Sequence, residues 1–242
     1  MPHALPPLPY PYDALEPTID ELTMRLHHDR HHEGYVAALN AALEGSAWAQ
    51  RPVEDVLGDL EALPEDKRMW VRDNGGGHLN HCLVWESMAP DYHGLPAGPL
   101  GDAIDVTFGS VRELKRQVSD AGTGRVGSGW AWLVHDGAGL AVTSTPNQDS
   151  PLMCGATSLL GVDLWEHVYY LRYQDGMVIQ AAVCDGVLNA TADALRWDAH
   201  SCSTPPHRAT PTCCQSRAAK GQTMNTTREL RTPHCERWSW AT

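Results

Sequence analysis

Residues 127–167 read GSGWAWLVHDGAGLAVTSTPNQDSPLMCGATSLLGVDLWEH. WAWLV (130–134) and LAVTST (140–145) are rich in strand formers and flank the Gly-containing loop HDGAG, a pattern that predicts a β-hairpin. LLGVDLW (159–165) predicts a third strand. Upstream of this block the apolar residues take the period of a helix. Ile19, Leu22, Leu26, Val36, Leu39 and Leu43 recur at about 3.6 residues, and Gly45 stands where helices commonly stop. Thr18 and Glu21 have the spacing of a capping box, which predicts a helix of about 25 residues starting there.

Pro52 suits the first turn of a short helix to about Leu60, and Pro64 the start of a longer one towards Met88. That second helix contains Gly75, Gly76 and Gly77, each of which weakens a helix interior by about 1 kcal/mol relative to Ala. The run predicts that another segment approaches the bare backbone closely, or that the helix bulges there. DYHGLPAGPLGD (91–102) reads as a loop between halves, and Ser110 with Glu113 as the cap of a further helix to about Asp120. Helices followed by an antiparallel three-stranded sheet give an α+β fold. The expected organisation is a helical hairpin domain over 1–92, an α/β domain over 99–200, and an atypical tail over 201–242.

Composition narrows the function. The 242 residues carry 18 basic and 30 acidic side chains, for a formal net charge of −12. A protein that wraps nucleic acid would show the opposite sign, so no nucleic-acid partner is expected. No stretch reaches the roughly 20 apolar residues of a membrane span, and the first residues, MPHALPPLPYPYDALEP, lack the order of a secretion signal. Seven cysteines are an odd number in a chain too large to need a disulfide framework, so reduced thiols and a cytoplasmic location are expected.

The histidines are placed in a pattern. His27, His31 and Tyr35 are four residues apart on one helix, HLNH puts His78 and His81 three apart on another, and DLWEH puts Asp163 and His167 four apart after the third strand. One His pair alone is more commonly solvated or satisfied in a core. Imidazole and carboxylate donors on three separate elements can instead converge on one ion, and such a set suits Fe, Mn or Zn better than Ca or Mg.

LPYPYDALEPTID (8–20), LHHDRHHEGY (26–35), NGGGHLNHCLVW (74–85), GSGWAWL (127–133), PNQD (146–149) and GVDLWEHVYYLRY (161–173) resemble, in that order, the iron/manganese superoxide dismutases. The resemblance spans about residues 5–173. It implies that His27, His81, Asp163 and His167 hold the metal, with solvent as a fifth ligand, in a helical hairpin plus α/β fold. It implies one-electron cycling that converts superoxide to dioxygen and hydrogen peroxide, which redox-inert zinc could not support. Gln148 matches the position whose amide reaches the bound solvent, and Tyr35 and His31 match a gateway pair that passes protons. Iron-type members usually carry that Gln at the position of Gly77, so manganese is favoured, with iron as the alternative; on this reading the glycine run leaves room for the amide of Gln148. Glu166 and Tyr170 match residues that join two subunits, Tyr170 towards the partner's His31, so a homodimer is implied. Trp85, Trp130, Trp132 and Trp165 match aromatics that wall the site, and Arg30 a cation near its entrance.

After Tyr173 the resemblance stops. The Arg-Pro-Asp-Tyr turn and terminal helix of the family are replaced by QDGMVIQAAVCDGVLNATADALRW, and the chain then runs on through a Pro-, Thr- and Cys-rich tail. A shift of reading frame near Asp175 is the expectation this change raises, and the tail is expected to be flexible. A protein that keeps the fold and sequesters metal with impaired turnover is the alternative function.

Overall fold

The computed structural model describes residues 2–90, 96 and 98–165, all of them in the same unit of the chain. Helix α1 (Glu21–Leu26) continues through a π-helical segment, His27–His32, into α2 (Glu33–Leu43), so one long rod forms as the apolar spacing predicts. Its start differs from expectation. The cap is Asp20, whose carboxylate accepts from the Thr23 amide at 2.9 Å, rather than Thr18. An aspartate at this position answers a free N–H and also favours the positive end of the helix.

Helix α3 (Val53–Gly58) begins after Pro52 and α4 (Glu65–Ser87) after Pro64, as expected. Leu39 and Leu43 of α2, Val56 and Leu57 of α3 and Val71 of α4 close one core between these helices. The region expected to be loop, 91–102, is helical from its far side: α5 covers Gly98–Phe108. Pro99 is tolerated in the first turn, where its missing N–H has no partner to lose. Helix α6 (Val111–Thr123) is capped as predicted, the Ser110 hydroxyl accepting from the Glu113 amide at 3.2 Å.

Strands β1 (Gly129–His135), β2 (Leu140–Pro146) and β3 (Thr157–Asp163) form one antiparallel sheet in the order β2-β1-β3. β1 is central and buried on both faces, which explains its continuous apolar reading. Alternation sends Trp130, Trp132 and Val134 towards Tyr10, Leu15, Met24, Val84 and Trp85 of the helical half. Ala131 and Leu133 face Leu100, Ile104, Leu114 and Val118 of α5 and α6. The sheet is thus the middle of three layers. In the β1–β3 ladder Trp130 stands opposite Asp163, while a bulge between Leu133 and Val134 absorbs an extra residue further along. Register therefore delivers Asp163 to the edge of the layer formed by α4 and the π segment.

Candidate metal centre

Three of the four expected metal ligands meet. His27 comes from the π segment, His81 from α4 and Asp163 from the end of β3, and their donor atoms all lie within 4.8 Å of one another. Nε2 of His27 is 3.3 Å and Nε2 of His81 3.9 Å from Oδ2 of Asp163. All three are buried, with exposures of 4%, 0% and 7%. The fourth, His167, lies outside the described residues.

Each donor is aimed by a neighbour. The His81 Nδ1–H donates to the Gly77 carbonyl at 2.6 Å, which fixes the tautomer and puts the ring's lone pair on Nε2. The Trp165 amide donates to Oδ1 of Asp163 at 2.9 Å, so Oδ2 is the oxygen turned towards the two rings. The His27 ring stands edge-on to His81 and to Trp85, with centroids 4.8 Å away in both cases. Burial pushes the His27 imidazole down to about 3, with His31 and His28 adding to the effect, so the ring is neutral as a ligand must be. Two imidazoles and a carboxylate brought together out of water form a donor set that fits a borderline transition-metal ion.

A second group surrounds this one. Gln148, 3% exposed, accepts at Oε1 from the Trp130 indole at 3.1 Å and donates from Nε2 to the Tyr35 hydroxyl at 3.0 Å. An indole can only donate, so the orientation of the amide is determined, and Tyr35 must accept from it. The phenolic proton is then available to a third partner. Burial pushes the Tyr35 hydroxyl up to about 12, with the charge of Asp163 acting the same way, so it stays protonated across the physiological range. Trp130 therefore orients an amide as well as walling the site, a role its resemblance alone did not carry.

The glycine run explains itself here, with one correction. A Cβ on Gly76 would stand 2.0 Å from the Gln148 carbonyl oxygen, and one on Gly77 2.6 Å from the Tyr35 ring. The backbone of Gln148 thus approaches Gly76, while the space at Gly77 belongs to Tyr35. Close approach is the outcome of the two expectations, since α4 runs on without a bulge.

Of the remaining candidates, Trp85, Trp130 and Trp132 are buried, and Trp165 donates to the Asn147 carbonyl at 3.3 Å. His31 is exposed, with its ring 6.4 Å from that of His27; Arg30 is exposed beside it. Glu166 and Tyr170 lie outside the described residues. Sequence reasoning missed Asn80, which donates to the Gln148 carbonyl at 3.1 Å, and Arg72, which grips the Asp149 carboxylate at 2.6 Å. Asn80 sits inside the HLNH motif, so proximity to His81 was a usable signal; nothing in the sequence links Arg72 to Asp149.

Comparison with known proteins agrees with this geometry. The chain matches the alpha-hairpin domain of iron/manganese superoxide dismutases over residues 2–89 and their C-terminal domain over residues 96–178. It is 56% identical over 176 residues to a manganese superoxide dismutase of Pseudomonas aeruginosa, covering 72% of this chain and 87% of that one. It is 54% identical over 170 residues to an iron superoxide dismutase of Raoultella planticola, covering 70% of this chain and all of the other. A manganese enzyme of Thermus thermophilus is 49% identical over 199 residues, or 81% and 94% of the two chains. None of these relatives supports the metal-sequestering alternative. Buried donors from three elements and a matched pair of domains lead to the same place: this chain belongs to the iron/manganese superoxide dismutase family.

Proposed function

We propose that this superoxide dismutase works on manganese held by His27, His81, Asp163 and His167, with iron able to occupy the same donors. The observation that carries this reading is the convergence of two imidazole nitrogens and a carboxylate oxygen within 4.8 Å in a buried space. When bound, the ion supplies one-electron chemistry, taking an electron from one superoxide, which leaves as dioxygen, and giving it to a second, which leaves with two protons as hydrogen peroxide. Gly77 supports manganese over iron, because a glutamine side chain there would collide with Tyr35. The amide instead arrives from Gln148 on the opposite half.

The protein's own groups supply position and protons. Trp130 holds the Gln148 amide, Gln148 donates to Tyr35, and the Tyr35 hydroxyl proton is directed onward to the reacting anion or solvent. Neither Gln148 nor a Tyr35 phenol held near 12 titrates at neutral pH, so the relay keeps one protonation state while turnover proceeds. His31, exposed on the same rod, serves as the outer member of the gateway, and Trp85, Trp130, Trp132 and Trp165 keep the pocket narrow. With the protein acidic overall, Arg30 and the metal supply the local attraction for an anion.

A homodimer built on Glu166, Tyr170 and His31 fits this reading, as does a domain division at 1–92 and 99–200, followed by the tail at 201–242. Cys82 carries a reduced thiol, and a chain of this size needs no disulfide framework, which supports a cytoplasmic enzyme. Among the described residues no helix is long and apolar enough to cross a membrane. Metal analysis of the purified protein beside a superoxide-consumption assay tests the proposal. Turnover per bound manganese well above that of the aqueous ion, and inhibited by azide, is the expected result; turnover equal to that of the aqueous ion would overturn it.

A further inference from the structure

Behind the proposed ligand His81 lies a second cluster that the dismutase reading does not use. His32 from the π segment meets His78 and Cys82 from α4, the last two being four residues apart on one face of that helix. Nε2 of His32 is 2.8 Å from Nδ1 of His78, and the Cys82 sulfur is 3.6 Å from the latter and 3.9 Å from the former. Both rings are buried and the thiol is half-buried.

We propose that His32, His78 and Cys82 form a second cation site, distinct from the catalytic one, for a thiophilic divalent ion of the zinc class. Tetrahedral zinc with nitrogen at about 2.0–2.1 Å and sulfur at about 2.3 Å places N···N pairs roughly 3.4 Å and N···S pairs roughly 3.6 Å apart. The two sulfur edges already lie near that value, and only the imidazole pair has to part, by about half an ångström. His32 is oriented by the Trp85 indole, which donates to its Nδ1 at 2.9 Å. The neutral ring therefore carries its proton on Nε2 and shares it with His78 Nδ1. The cation takes the place of that shared proton.

The charges balance. One proton leaves the Cys82 thiol and one leaves His32 Nε2, so a dication is matched by a thiolate and an imidazolate and the buried group is neutral overall. The indole N–H stays on Nδ1, where it stabilises the imidazolate. His78 contributes its neutral Nδ1, and the fourth coordination position is left to solvent. The His32 ring stacks on that of His81, with centroids 5.3 Å apart and planes inclined by 28°, so the second cation would sit directly behind a catalytic ligand.

The test uses the manganese-loaded full chain, titrated with Co(II) as the probe, beside Cys82→Ser and His78→Gln. Cysteines elsewhere are present in all three proteins and cancel in the differences. Wild type is expected to take up one more equivalent of cobalt than either variant. The wild-type-minus-Cys82→Ser spectrum is expected to show a thiolate-to-cobalt charge-transfer band. Equal cobalt uptake by wild type and Cys82→Ser with a flat difference spectrum would overturn the proposal. Manganese content, read in the same samples, reports separately on the catalytic reading.

Discussion

At Gly76 a single hydrogen atom stands where any other residue would put a carbon against the Gln148 carbonyl. The contact is backbone to backbone, so no side chain can swing aside to relieve it. Gly76→Ala is therefore expected to lower stability by about 1–3 kcal/mol in denaturant unfolding. It should also lower turnover more than metal content, because what moves is Gln148. Gln148→Ala removes the link between Trp130 and Tyr35 without touching a metal donor. Turnover per bound metal should fall on the order of 10–100-fold while metal content stays near that of wild type. An unchanged rate per metal would remove the amide from the mechanism. At this scale the sequence was informative about which residues are unusual and less so about what they face. Three glycines inside a helix announce a close approach, yet the partners of Gly76 and Gly77, the Gln148 carbonyl and Tyr35, come from distant segments that only the fold brings together.

The π segment shows why element type can be legible while local phase is not. Regular α-helical spacing puts His27, His31 and Tyr35 on one face. In the structure the i→i+5 pattern of His27–His32 turns His27 and His32 inward together and leaves His31 exposed. Nothing in the apolar period signals that change, because a π turn inserts a single residue of phase. Helix α5 was hidden for a different reason: Leu100, Ile104 and Phe108 have helical spacing, but GLPAGP (94–99) in front of them carries dense turn signals. The caps were easier to read where a hydroxyl and a carboxylate sit three apart with no competitor. Ser110 was identified correctly, whereas Asp20 outcompeted Thr18 because it can accept from the Thr23 amide and hydroxyl together. Ser110→Ala is expected to destabilise the protein by about 1 kcal/mol, seen as a lowered denaturant midpoint with the unfolding slope unchanged.

For the whole molecule, three buried histidines tie stability to pH. Burial holds His27 at about 3, His32 at about 2 and His78 at about 4, all below the ordinary 6.5. Below pH 6.5 the unfolded chain takes up protons that the folded one refuses, so stability is complete above that pH and falls as the solution is acidified towards 4. Each such histidine adds roughly 1.4 kcal/mol per pH unit to the loss. Denaturant unfolding of metal-free protein between pH 7 and 4.5 should show this slope, and His78→Asn should make it shallower; equal slopes would contradict the account. The α+β layering was legible because each element carries its own spacing and caps, and His27, His81 and Asp163, which the structure brings together, were legible as donors on three separate elements. The hydrogen bonds that aim them were not, since tautomers and amide orientation are decided across elements. Whether His27, His81 and Asp163 hold the working ion is decided by comparing wild type with His81→Ala, measuring bound manganese and superoxide consumption on the same samples. Wild type should hold close to one ion per chain with azide-sensitive turnover, and the variant should lose both. Metal and turnover retained by His81→Ala would contradict that assignment.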